Sequence, residues 1–259
     1  MEKRFTRTEL LLGKEALQRL ASSRIAIAGL GGVGGYAAEA LVRSGVNYVR
    51  LIDFDQIKYS NFNRQLLALE ESLQQRKVDV AEVRLKKINP DCVIDKRPVF
   101  IDQSNAGELV DGVDLVIDAI DSVSSKVSLL SQAVTSGKTV VSSMGAAART
   151  DPLQVRTGDI SESKICPLAR IIRKRLHRKN IYTGIRCVYS IEPVETAMVS
   201  EMDTEESFER GRARPSLGSI SYMPGIFGLV VAHEAIKLLI NGNGIDKNAI
   251  TNFAADFSG

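Results

Sequence analysis

The chain has 259 residues, 34 Lys and Arg against 31 Asp and Glu, and a net charge of +3. That near balance excludes a protein held to nucleic acid by bulk charge, and 20 Gly with 7 Pro are too few for a disordered or collagen-like chain. Three widely spaced cysteines without a C-x-x-C pair exclude a disulfide scaffold and a four-cysteine zinc site, and point to a reducing, cytoplasmic compartment.

Residues 1–23 read as a helical arm in which Glu2, Glu9 and Glu15 interrupt any apolar run, so no secretory signal is expected. Arg24 to Gly29 (RIAIAG) predicts a strand, and a helix comes next through Tyr36 to Val42. Tyr48 to Asp53 predicts a second strand that ends in acid. Val78, Ala81, Leu85 and Ile88 recur at helical spacing, and Asn89-Pro90 stops that helix. Cys92 to Ile94 and Val99 to Ile101 supply a third strand region, Asp114 to Ile120 a fourth, and Thr139 to Ser143 a fifth. This alternation predicts an α/β fold over 24–150, with a Rossmann-like, mostly parallel sheet and helices on both faces.

Beyond residue 150 the rhythm changes. Leu153 to Arg156 and Ile185 to Ser190 are expected strands around a basic helix, Pro167 to Lys179. Residues 199–216 are charged and lack an apolar period, which predicts a mobile loop. From Leu217 to Ile240 the chain is apolar but broken by His233, Glu234 and Lys237, so a buried helix is expected rather than a membrane span. His233 is expected to pack in that helix. The whole of 1–259 reads as one domain, with 151–259 as a substrate-side elaboration of the core.

Gly29-Leu30-Gly31-Gly32-Val33-Gly34 joins the first strand to the first helix. Glycines there let the backbone approach a phosphate, while free N–H groups and the helix dipole favour the anion. Asp53, at the end of the second strand, suits a ribose hydroxyl. Alone, this pattern describes any dinucleotide or nucleotide site, with a nicotinamide oxidoreductase as the default. The residues after Asp53 narrow the choice. Asp55, Asn61, Asn63, Arg64, Gln65 and Lys77 cluster amides and cations beyond the acid. Such a cluster suits the splitting of a triphosphate, where fixed donors neutralise charge moving onto departing pyrophosphate.

Taken together, Arg4-Phe5-Thr6-Arg7, the glycine loop, Asp53 to Asp55, Asn61 to Gln65, Lys77 and Asp118-Ala119-Ile120-Asp121 resemble the E1-like adenylating superfamily, the ThiF, MoeB and HesA group. The resemblance implies an ATP-binding domain that converts a carboxylate to an acyl-adenylate. It implies that Arg7 reaches the ATP site of a neighbouring protomer in a homodimer and that Asp53 anchors the ribose. Asn61, Asn63, Arg64 and Lys77 are then phosphate and purine contacts, and Asp121 is the Mg²⁺ ligand. Asp118 reads rather as a strand-end or cap carboxylate.

Downstream, Asp118 to Val123 with Lys126, Pro167 to Arg173, Cys187 to Glu192 and the helix from Phe227 resemble the tRNA threonylcarbamoyladenosine dehydratase branch, with Cys166 where relatives can carry Asp. That branch implies a tRNA substrate whose modified adenosine carries a free carboxylate; a sulfur-mobilising partner is an open option. The alternative within the superfamily is adenylation of a sulfur-carrier protein's C-terminus, and a non-catalytic partner protein is a third reading. On the basic helix, Leu168, Ile171, Ile172 and Leu176 form an apolar stripe, and Arg170, Arg173, Lys174, Arg175, Arg178 and Lys179 crowd the rest. Like charges one turn apart repel, and an RNA backbone relieves that repulsion; a solvated basic face accounts for the same residues. The resemblance favours tRNA. No Ser/His/Asp or Cys/His set stands out, and Cys92 and Cys187 read as core.

Overall fold

The computed structural model describes residues 3–194 and 217–241. Helices α1 (Thr6–Leu12) and α2 (Lys14–Ser22) form the arm. After them come β1 (Arg24–Ala28), α3 (Gly34–Arg43), β2 (Tyr48–Ile52), α4 (Lys77–Ile88) and β3 (Val93–Arg97). Then come α5 (Ala106–Val110), β4 (Leu115–Asp118), α6 (Val123–Thr135), β5 (Thr139–Ser143), β6 (Val155–Asp159), α7 (Pro167–His177), β7 (Arg186–Ser190) and α8 (Tyr222–Asn241).

The strands form one sheet in the order β3-β2-β1-β4-β5-β7-β6. All neighbours are parallel except β6, which runs antiparallel to β7. Both faces are covered, which is why the central strands are apolar at successive positions. Ile25 and Ile27 pack on one side with residues of α3, α4 and α8, while Ala26 and Ala28 pack on the other with α5, α6 and α7. The expected α/β fold is therefore the observed one.

Strand order reverses between β1 and β4. In a doubly wound sheet the two connections diverge there, to opposite faces, and leave a crevice at the strands' carboxyl ends. The glycine loop leaves β1 and the Asp118–Asp121 segment leaves β4 at this point, so the two expected site segments share one opening.

α8 is long and apolar enough to cross a membrane, the one such helix among the described residues. Here it packs into the fold. Phe227, Val231 and Ala235 are buried, and a Cβ on Gly228 would lie 2.4 Å from Val33 O, so its backbone presses on the start of α3. The apolar part of the expectation holds, but His233 does not pack. Its side chain is 69% exposed, while neighbouring Glu234 turns inward to pair with Arg186 at 2.5 Å.

Two strand boundaries move at prolines. Val99 to Ile101 is not a strand: Pro98 lacks an N–H for the ladder, and the chain turns there with Val99 N–H donating to Arg97 O. Likewise Pro152–Gln154 is a short 3-10 turn capped by Asp151, whose carboxylate accepts from Leu153 N–H, so β6 begins only at Val155. The loop expected at 199–216 lies outside the described residues.

Candidate active site

The glycine loop is shaped by contacts that a side chain would destroy. Gly29 has φ +87, and a Cβ there would sit 2.7 Å from Ala119 O; one on Gly34 would sit 1.7 Å from Gly29 O. These two glycines hold the loop against the start of the 119–121 segment. Gly32 lies against Pro224 and the backbone of Arg64. Gly31 differs, since a Cβ there would meet nothing nearer than Gln65 Nε2 at 3.8 Å. That glycine is left open to a ligand, and Oε1 of Gln65 is buried without a partner.

Asp53 fixes this loop from the side of β2. Its carboxylate accepts Leu30 N–H at 2.6 Å and Asp55 N–H at 2.8 Å. Burial pushes its pKa up, and the charge of Lys77 opposes that. An ionised carboxylate offers about four acceptor sites, so capacity remains for ribose hydroxyls. Lys77, the first residue of α4, is buried and bonds Asp55 at 2.9 Å. Burial alone would lower its pKa, but Asp53, Asp55 and Asp121 outweigh burial and raise it, so it is an ammonium. The influence of Asp121 on Lys77 brings the proposed metal ligand into the same cluster.

The 58–65 loop closes the crevice. Asn61 is buried, its side-chain oxygen accepting Lys58 N–H at 3.2 Å. Asn63 donates to Ser219 O at 3.1 Å, and Arg64 Nη1 donates to Ser60 O and to the side chain of Asn63. The structure thus brings together Gly29, Gly31, Gly32, Gly34, Asp53, Asp55, Asn61, Asn63, Arg64, Gln65, Lys77 and Asp121, from segments as far apart as β1, α4 and the end of β4.

Asp118 is more than a strand end. It and Lys126 are fully buried and pair at 2.8 Å, and Lys126 Nζ also donates to Ile120 O at 3.0 Å and Ser143 O at 2.7 Å. All three ammonium protons are used. Asp118 in turn accepts from Ser142 Oγ and Ile120 N–H. The pair ties the ends of β4 and β5 and fixes the peptide from which Asp121 emerges. Its sequence signal is a lysine on the apolar stripe of a helix, between Val123, Val127 and Leu130.

A family model described as the ThiF family matches residues 5–259. The chain belongs to the ThiF family. It is 35% identical over 240 residues to a tRNA threonylcarbamoyladenosine dehydratase of Bacillus subtilis, covering 91% of this chain and 94% of that one. Its fold is similar to the crystal structure of Escherichia coli tRNA N6-threonylcarbamoyladenosine dehydratase in complex with ATP. The TM-score is 0.81 at 31% identity, over 92% of this chain and 94% of the other. It is also 29% identical to an adenylyltransferase and sulfurtransferase of Drosophila willistoni, over 93% of this chain but only 46% of that one.

Two groups of expected residues lie away from this ThiF-family crevice. Phe5 is buried near Gly45, after the C-terminus of α3, and Arg4 donates to Ile88 O at the end of α4. The arm therefore sits at the amino ends of the strands. The ten-residue α3, about 15 Å long, separates it from the glycine loop, and Arg7 on α1 is exposed there. On α7, Ala169, Ile172 and Leu176 are buried while Ile171 is exposed. Arg173 is engaged inside the fold, Nη1 donating to Ser163 O and Oγ at 2.7 Å each. Arg170, Lys174, Arg175, Arg178 and Lys179 are exposed. All three cysteines are buried; burial pushes Cys92 up to about 11 and Cys187 higher still.

Proposed function

We propose that this chain uses ATP to activate the threonyl carboxylate of N6-threonylcarbamoyladenosine in tRNA and closes it into a ring with loss of water. The observation that carries the reading is full-length similarity to dehydratases, with 91% and 94% of the two chains covered. The crevice at the strand-order switch suits its first step.

A carboxylate oxygen attacks the α-phosphorus of ATP, the α–β bridging P–O bond breaks, and pyrophosphate leaves. The carbamoyl group of the same nucleoside then attacks the acyl carbon, the acyl–oxygen bond breaks, AMP leaves and one proton is released. The oxygen lost from the carboxylate ends on AMP, so the nucleoside is lighter by one water. Intramolecular attack has a high effective molarity and needs no enzyme nucleophile. The thiols of Cys92 and Cys187, whose pKa values burial raises, are poor nucleophiles, which fits that route.

In this reading the glycine loop offers its N–H groups to the phosphates and Asp53 accepts from the ribose. Asn61, Asn63 and Gln65 supply amide contacts. Lys77, oriented by Asp55, and Arg64 stabilise negative charge as it moves onto pyrophosphate. Asp121 would hold Mg²⁺, which when bound would supply charge neutralisation at the phosphates. The chemistry of the donor fits that ion, since Mg²⁺ takes one or two carboxylates plus phosphate oxygens and the charge of Asp121 reaches Lys77 in this crevice. Arg7 lies at the far end from its own chain's loop, which supports its use by the partner of a homodimer. The exposed cations of α7, Arg170, Lys174 and Arg175, with Arg178 and Lys179 just beyond its end at His177, contact the tRNA backbone. Mature tRNA and free thiols both suit a cytoplasmic enzyme.

The test is mass analysis of nucleosides from modified tRNA after incubation with protein and ATP. A product lighter by one water is expected. Unchanged nucleoside, together with pyrophosphate exchange that depends on a sulfur-carrier protein, would assign the chain to carrier adenylation instead.

A further inference from the structure

Between β5 and β6 the chain carries a buried arginine that none of these roles uses. Arg149 is 2% exposed, yet no carboxylate lies at ion-pair distance from it among the described residues. Its Nη1 donates to Ala148 O at 3.2 Å, and its Nε is buried with no acceptor. A guanidinium has five N–H donors and does not shed its proton, so burying it with its Nε unpaired is costly.

The backbone on both sides of it is pinned. The Glu192 carboxylate accepts Thr150 N–H, Thr150 Oγ1 and Asp151 N–H, each at 3.0 Å, and Tyr222 OH donates to Thr150 O at 2.9 Å. Ala148 sits at φ +54, a conformation unfavourable for a residue with a Cβ, and its N–H donates to Gly218 O at 2.7 Å. Glu192, whose carboxyl the charge of Arg149 helps hold below its ordinary range, is thus engaged with the clamp. These contacts fix the backbone on either side of Arg149, whose Nε donor stays unused.

The clamp also locates it. Ser219, the residue after Gly218, accepts from Asn63, and Pro224 lies against Gly32. Residues 218–224 therefore connect Arg149 to both the 58–65 loop and the glycine loop. In the sheet order, Asp53 and Lys77 stand on the β2 side of the glycine loop, whereas Arg149 comes after β5, on the other side. A nucleotide anchored by its ribose near β2 leaves the β5 side for the group that attacks it.

We propose that Arg149 binds the carboxylate that is to be adenylated and so selects RNA bearing an acidic modification over unmodified RNA. This rests on the proposed function. A planar guanidinium matches a carboxylate through two parallel hydrogen bonds, which a lysine does not reproduce.

The experiment compares equilibrium binding of tRNA bearing threonylcarbamoyladenosine with the same tRNA lacking the modification, for wild type, Arg149→Gln and Arg149→Lys, alongside ATP affinity. Wild type is expected to prefer the modified tRNA by about ten- to hundredfold, the value of a charge-assisted contact. Arg149→Gln is expected to lose that preference while keeping ATP affinity, and Arg149→Lys to retain part of it. The inference is overturned if both variants keep the wild-type preference. It is equally overturned if ATP affinity falls and the preference stays, which would make the bound anion a phosphate. Should Arg149→Gln melt abnormally, Arg149→Lys decides by the same ratio. A wild-type protein that neither prefers nor dehydrates modified tRNA sinks the proposed function itself, whatever the variants do.

Discussion

Arg64 and Lys77 differ in how they are held, and their substitutions are expected to differ accordingly. Arg64 is half-buried and bonded within its own loop. Arg64→Ala is expected to change stability by no more than about 0.5 kcal/mol and to reduce AMP formation by about 10²- to 10³-fold. Lys77 sits between Asp53 and Asp55, so Lys77→Met removes the charge that makes their closeness tolerable. A comparable loss of AMP formation is expected, now with lower stability, and paired turnover and unfolding measurements distinguish the two cases. Lys126→Met leaves Asp118 buried and unpaired and is expected to cost about 3–5 kcal/mol, read from the denaturant midpoint. Adding Asp118→Asn is expected to recover part of that cost. The glycine loop, Asp53 and the Asn/Arg/Lys cluster were legible in sequence because their chemistry depends on short spacing after a strand. The roles of Lys126 and Arg149 were not, since they depend on Ser143, Glu192 and Gly218, which lie far along the chain or across the fold.

At the scale of elements, packing of α8 on α3 is the contact that closes the crevice from one side. Gly228→Ala places a methyl 2.4 Å from Val33 O, a backbone atom that cannot turn aside. A loss of about 1–3 kcal/mol is expected, as for overpacked cores. Gly35→Ala is the control. In the same helix pair, its Cβ would meet only ordinary contacts from 3.8 Å outward, and a gain of about 0.4–1 kcal/mol is expected. Thermal melts of the two variants check both signs. Sequence periodicity placed α8 but misplaced its inward face. The helix is apolar nearly all round, so nothing in its pattern says that Glu234, and not His233, meets Arg186. The strand expected at Val99 to Ile101 failed for a nearer reason, a proline at the point where the ladder needed a donor.

For the whole molecule, acid should weaken the fold. Burial pushes the Glu39 and Glu234 carboxyls up, but their arginine partners more than offset this and hold both below the ordinary value of 4.5. A depressed folded pKa gives stability that is fully present above the unfolded value and is lost as pH falls through the folded one. Stability is therefore expected to decline below pH 4.5, and Glu39→Gln to flatten the decline in urea titrations across that range. Assembly is tested by mixing inactive Arg7→Ala and Lys77→Ala proteins. If Arg7 serves the partner's site, half of the sites in each mixed dimer are intact, and about a quarter of wild-type activity is expected; none returns if Arg7 serves its own.

In the proposed reaction this crevice breaks ATP between its α- and β-phosphorus atoms in response to a carboxylate on RNA. The direct measurement tracks α-labelled ATP with wild-type protein and tRNA, with and without the threonylcarbamoyl group. Labelled AMP that forms in step with dehydrated nucleoside, and only with the modified tRNA, is the predicted result; labelled ADP, or AMP formed equally with unmodified tRNA, would contradict it.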